Sequence, residues 1–267
     1  SSSGQSTTWD AGIDSTTNVS WRVLALALHD TTLFVGGRFA TIRGAVRRQL
    51  AAVSAISGAL LPWDAGVERL PDFILDGGPR ITGLVLQDST LYTAGSFKVI
   101  GGKSRQGLAA LDIVTAQATS WDPRALGDPA TGATFTAVLI SGDTLFAAGE
   151  FDSLGGGPRS YVAALSTGTG ERFSWDPRPN LGVSTLSLSG GSLFAGGGFT
   201  SIGPWVSRSN LAAFDSRTGL VTDWAPEADY LVHDLIVQGN TVYIGGSFSY
   251  VGGQPRAGLA ALDAMTG

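Results

Sequence analysis

The chain of 267 residues offers little for acid–base chemistry: two histidines, His29 and His233, and 22 acidic residues, with no cysteine. One His-Asp step, His233-Asp234, lies in an apolar run. A catalytic dyad needs a third group to orient it and a place for the reacting atom, and a lone step of this kind reads as a polar patch. Two His, no Cys and no D-x-D-x-D-G loop supply no metal-ligand spacing. Gly101-Gly102-Lys103-Ser104 lacks the spaced upstream glycine of a phosphate loop. Asp112, Asp215 and Asp263 each close an LAAL or LAAF run, but Ser54 and Ser166 take the same place in two other runs. Asp and Ser share the capacity to cap a turn and do not share acid–base chemistry. The sequence therefore expects no catalytic residue, no metal and no cofactor.

Composition narrows the classes further. Charged residues make up 15% and hydrophobic ones 43%, a balance that buries a core. Lys and Arg number 17 against 22 Asp and Glu, a net charge of −5, and only Lys98 and Lys103 are lysines. Binding nucleic acid needs a basic face, so no nucleic-acid partner is expected. No run of 18 apolar residues is present, so no membrane insertion is expected either. Neither a start Met nor a hydrophobic leader precedes Ser1, which is the expectation for a processed or excised chain.

What organises the chain is a repeat. LFVGGRF (33–39), LYTAGSF (91–97), LFAAGEF (145–151), LFAGGGF (193–199) and VYIGGSF (242–248) share one frame, and each is followed by an Arg: Arg47, Arg105, Arg159, Arg208 and Arg256. Three residues later begins LAAV, LAAL, VAAL, LAAF or LAAL, and thirteen residues beyond that comes Trp63, Trp121, Trp175 or Trp224. The fifth repeat reaches Gly267 before its Trp, while Trp9-Asp10 stands at the other end of the chain. Each repeat holds four short apolar runs, in the second repeat 81–87, 90–99, 106–112 and 117–122. Four antiparallel strands per unit is the signature of a propeller blade. The expected fold is therefore all-β, a single domain over 1–267: a five-bladed β-propeller with blades near 21–64, 80–122, 134–176, 183–225 and 231–267 plus 5–10. Its ring closes where the N-terminal strand, with Thr7, Thr8, Trp9 and Asp10, joins the last blade at Leu259 and Leu262, removing two open edges. Arg47–Asp64, Arg105–Asp122, Arg159–Asp176 and Arg256–Asp10 are candidate structural ion pairs, the fourth repeat having Ala225 instead of Asp.

Alternation places Ala25, Gly83, Ala137, Thr185 and Asp234 toward a central channel, where Asp234 beside His233 is the one carboxylate. Hydrolysis of a glycosidic bond needs converging carboxylates, so a glycosidase is the weakest reading. The separations from Trp to the next second strand are 24, 28, 24, 18 and 18 residues, so three junctions carry long loops. The candidate binding surface is built on them together with the second-to-third-strand loops: Trp21, Arg69, Asp72, Phe73, Ile74, Arg80, Arg124 and Trp205, aromatic and apolar groups in loops being the kind that meet partners.

The combined pattern, (L/V)(F/Y)xxGxFxxxGG followed by Arg, LAALD, Thr-Gly and Trp-Asp-Pro, resembles the repeats of secreted bacterial β-propellers of unknown function, often found in long surface proteins. The resemblance covers 5–267, with Ala225, Ser54, Ser166 and Gly203-Pro204 as departures. It implies an extracellular or cell-surface propeller and carries no site residues. In architecture the chain is also similar to five-bladed lectins of the tachylectin type, without a shared sugar-binding motif. The expected function is a non-enzymatic structural or interaction module whose partners are other protein subunits, by self-assembly into an appendage or filament, or surface glycans. The closing strand acts within one chain or is donated to the next copy.

Overall fold

The computed structural model describes residues 7–13, 21–68, 80–128 and 132–267. These residues are all-β, and they form five three-stranded antiparallel sheets in chain order. The first holds Arg22–His29, Thr32–Arg38 and Leu50–Ser54, and the second Arg80–Gln87, Thr90–Ser96 and Leu108–Asp112. The third holds Thr134–Ser141, Thr144–Glu150 and Val162–Ser166, and the fourth Val183–Ser189, Ser192–Gly197 and Leu211–Asp215. Val232–Gln238, Thr241–Gly246 and Leu259–Asp263 make the fifth. In each sheet the second strand is central. A two-stranded hairpin, such as Val99–Ile100 with Lys103–Ser104, interrupts the path from second to third strand. The fourth run expected in each repeat is not a full strand. In the second repeat it is one bridge, Leu111 to Ala118, with the Thr119 N–H donating to the Ala110 carbonyl. It leaves the sheet at Trp121, whose ring reaches toward the following sheet.

Sheets pack face to face in succession. Phe34, Leu50 and Ala52 of the first bury Ile81, Leu91, Ala109 and Leu111 of the second in one core. The same arrangement joins the second to the third, the third to the fourth and the fourth to the fifth. Full burial of each Leu, Ile or Phe side chain among these contributes about 1.5–3 kcal/mol. The repeated glycines make this packing geometrically possible. A Cβ at Gly95 would fall on the Arg80 carbonyl oxygen, because the first strand bulges there and its backbone presses on the second. A Cβ at Gly36 would stand 2.6 Å from Cγ2 of Ile81, so this glycine is the slot that receives a side chain of the next sheet.

The ring closure expected at the chain ends is not among the contacts that the described residues make. No sheet among the described residues closes on itself. Segment 7–13 packs on the first sheet: Ala11 is buried with Val35, Phe39, Ile42 and Val53, and Ile13 bridges Ile42. Strand Leu259–Asp263 pairs with Thr241–Gly246 alone, and its outer edge carries no strand among the described residues. Trp9-Asp10-Ala11-Gly12-Ile13 matches Trp63-Asp64-Ala65-Gly66-Val67 and docks on the first sheet as that segment docks on the second.

Candidate functional site

The repeated chemistry-bearing residues converge on the seams between sheets. The indole of each repeated outer-run Trp donates to a backbone carbonyl of the following sheet: Trp63 to Asp112 at 3.4 Å, Trp121 to Ser166 at 2.9 Å, Trp175 to Asp215 at 3.1 Å and Trp224 to Asp263 at 2.9 Å. Trp9 completes the series with Ser54 at 3.2 Å. The four internal Trp rings also meet an aromatic of their own repeat edge-on, as Phe34 with Trp63 at 5.0 Å and Tyr92 with Trp121 at 5.3 Å. Such pairs favour the quadrupole-matched T geometry.

The repeated Arg side chains tie the outer run to its sheet. Arg105, nearly buried, donates to the carbonyls of Trp121 at 3.1 Å and Thr119 at 3.2 Å and meets Asp122 at 3.1 Å. Arg47–Asp64 at 3.5 Å and Arg159–Asp176 at 3.2 Å repeat the ion pair. Arg208, facing Ala225, keeps the Thr222 carbonyl at 2.8 Å. The expected Arg256–Asp10 pair is not formed: Arg256 donates to Pro255, and Asp10 caps the Gly12 N–H while its carbonyl accepts from Arg43.

The carboxylates after LAAL cap turns. Asp112 Oδ1 accepts from the Thr115 N–H at 2.7 Å, the Thr115 hydroxyl at 2.9 Å and the Val114 N–H at 3.0 Å. Hydrogen bonds from Thr115 hold its pKa below the ordinary carboxylate value, and Thr218 and Thr266 do the same for Asp215 and Asp263. The Ser54 hydroxyl takes over this role, accepting from the N–H groups of Ile56 and Ser57.

The small positions read as channel-facing lie between sheets. A bulge after Ile81 resets the alternation, so Gly83 turns to the third sheet and a Cβ there would stand 2.9 Å from Val138 Cγ1. The displaced residue becomes a clasp: Thr82 donates to the Phe135 carbonyl at 2.6 Å and Thr136 to the Val183 carbonyl at 2.8 Å, each across a seam. Asp234 accepts from Thr185 of the preceding sheet at 3.0 Å, and His233 meets the Ser247 hydroxyl at 2.7 Å. His233 and Asp234 thus have separate partners rather than one another.

The proposed binding surface is spread over the molecule. Arg69, Asp72, Phe73 and Ile74 lie outside the described residues. Trp21 is half-buried against the first sheet, Arg80 opens the second, and Arg124 pairs with Glu171 at 2.6 Å on the way to the third. Trp205, in the hairpin of the fourth repeat, is 90% exposed. Among the described residues no hydrogen bond or ion pair joins any two of these four. Among the described residues no group of His, Asp and Glu could hold a metal ion, and no helix is long and apolar enough to cross a membrane.

Two terminal faces are uncovered, and of their residues sequence reasoning named only Leu259 and Leu262 on the fifth sheet. Val23, Leu26 and Leu28 of the first sheet are exposed, Leu28 at 60%, although Ile81 and its neighbours at the matching positions are covered. On the fifth sheet Ile236, Tyr243 and Leu259 are exposed, Leu259 at 71%, where the matching Leu50, Leu108, Val162 and Leu211 are buried. The signal was available in the fifth LAAL run, which no Trp follows.

The crystal structure of the computationally designed Ika4 protein is similar to this chain with a TM-score of 0.44 and 16% identity, covering 68% of this chain and 90% of that one. That of the computationally designed Ika8 protein is similar with a TM-score of 0.47 and 15% identity, covering 93% and 86%. No family model and no curated protein matches the chain.

Proposed function

We propose that the chain is a five-bladed β-propeller, each three-stranded sheet with its Trp-bearing outer run forming one blade, and that it works as a non-enzymatic structural and interaction module outside the cell or on its surface. The ring is completed where the fifth sheet meets the first and its segment 7–13. The observation that carries the reading is the use made of the repeated polar side chains. Trp121, Arg105, Asp112 and Thr82 and their counterparts are engaged in seams and turns, which is the chemistry of a scaffold. The resemblance to secreted surface propellers agrees with this reading, and other protein subunits are the partners it implies. Electron microscopy of the native material tests it: assemblies or a surface layer of small rings support the module, and a dispersed particle with glycoside-hydrolase activity overturns it.

A lectin-like reading is favoured by one residue, Trp205, whose exposed indole offers a face for a sugar ring. A glycan array probed with the wild-type chain and with Trp205→Ala distinguishes it: binding lost in the variant supports carbohydrate recognition, and no binder removes it.

A further inference from the structure

The four interior joints share one construction, and the two ends carry its unused halves. At each joint a residue of the preceding second strand leaves a slot: Gly36 for Ile81, Ala94 for Phe135, Ala148 for Val183 and Gly196 for Val232. A Cβ at Gly196 would stand 2.6 Å from Val232 Cγ1, so this slot is full. The fifth slot is Gly245, and a Cβ there meets only the Gly258 carbonyl oxygen at 4.0 Å. The matching knob is Val23, 43% exposed. Tyr243 occupies the position of Phe34, Tyr92, Phe146 and Phe194 but has no Trp edge against it, while Trp9, already held as the other four Trp residues are, is 37% exposed. Strand Leu259–Asp263 has an open edge, and segment 7–13 is set in the outer-run conformation, with the Trp9 N–H donating to Thr7 Oγ1 as the Trp121 N–H does to Thr119 Oγ1.

We propose that this joint is exchanged between copies, so that the fifth sheet of one chain seats the first sheet and segment 7–13 of a second copy. The inference rests on reading the sheets as blades, since it uses the joint that closes their ring. The Val23 knob and the Gly245 slot lie on different faces of the chain, which makes the interface heterologous: copies add head to tail, in a closed cycle if the rotation closes and an open filament if it does not. Exchange replaces one set of contacts by the same set, so its cost is the effective concentration of the chain's own ends. In the structure those ends stand uncovered while all four interior joints are complete, which is the state able to exchange. An open strand edge beside an exposed apolar face is also the feature that recruits another chain.

The chain has no cysteine, so engineered ones report this joint alone. At the first interior joint a Cβ on Gly36 would stand 3.1 Å from Ile81 Cβ, near the separation of about 3.8 Å across a disulfide. Val23→Cys and Gly245→Cys are purified separately, mixed and oxidised, and the double variant is oxidised alone. Both positions are uncovered, so the substitutions leave the interior joints intact. The expected result is a mixed disulfide dimer that grows with protein concentration and is lost when Leu259→Arg is added to the Gly245→Cys chain. A mixture of Gly245→Cys with Val114→Cys, exposed on another sheet, stays monomeric. An intramolecular bond in the double variant with no dimer in the mixture overturns the exchange and leaves the five-bladed ring standing. No bond in either experiment overturns the exchange and the ring together.

Discussion

The indole N–H of Trp121 in the second repeat donates to the backbone carbonyl of Ser166 in the third sheet at 2.9 Å, and the bond recurs at every seam the chain builds. Trp121 is itself buried and edge-on to Tyr92, so one side chain joins the outer run, its own sheet and the next. Trp121→Phe keeps most of the apolar contact and leaves the Ser166 carbonyl without this donor. We expect a loss of about 1–3 kcal/mol in denaturant unfolding, and an unchanged midpoint contradicts the seam role.

Gly95 of the second sheet and Gly245 of the fifth separate a blocked Cβ position from an open one. Gly95→Ala forces a Cβ onto the Arg80 carbonyl and is expected to destabilise the fold by about 1–3 kcal/mol. With the terminal joint uncovered, Gly245→Ala meets only the Gly258 carbonyl oxygen at 4.0 Å and is expected to change the unfolding midpoint far less. Equal effects at the two positions show the Gly245 slot filled in solution and contradict an open terminal joint.

Much of this architecture is legible in the residues. The spacing from Arg105 through Leu108 to Trp121 repeats closely enough to mark each sheet and its outer run, because seam contacts tolerate no insertion. The bulge after Ile81 was not legible, since every repeat contains it and no difference between repeats betrays it. Its consequence is that Gly83 and Thr185 pack between sheets although simple alternation turns them elsewhere. The ion pair of Arg256 with Asp10 was overestimated for a related reason: sequence spacing records that the two fit, and only packing of the fifth sheet on segment 7–13 brings them together. The candidate surface rested on loop residues, four of which fall outside the described residues, and Trp205 alone among the described four projects fully into solvent.

A double-mutant cycle on Arg105 and Asp122 weighs the ion pair against the carbonyl bonds. Asp122 is 43% exposed, so its removal is expected to cost less than about 1 kcal/mol, with coupling of the same order. Arg105→Ala leaves the carbonyls of Trp121 and Thr119 without their donor and is expected to cost about 1–3 kcal/mol. A coupling energy as large as the Arg105 effect contradicts this division, and zero coupling removes the ion pair from the account.

Acid sensitivity follows from the turn carboxylates. Hydrogen bonds hold the pKa of Asp112, Asp215 and Asp263 below the ordinary 3.8 in the folded chain. A carboxyl with a depressed folded pKa contributes stability that is fully present above the unfolded value and is lost as pH falls through the folded one. Stability is therefore expected to be flat near neutrality on this account and to decline below the ordinary carboxylate range. Asp112→Ser, which installs the acceptor already used at Ser54, is expected to make that decline shallower; denaturant midpoints across an acid series measure it, and a steeper decline contradicts the capping role.

The ring itself is tested most directly by a distance. Ile56, Val114 and Met265 occupy matching, exposed turn positions on the first, second and fifth sheets. Spin labels on Ile56→Cys and Val114→Cys report the distance across an interior joint, and labels on Met265→Cys and Ile56→Cys report the distance across the terminal one, both by pulsed electron paramagnetic resonance in dilute solution. Five equivalent blades around one axis predict the same distance for both pairs. A terminal distance that stays longer than the interior one in every preparation contradicts the five-bladed ring.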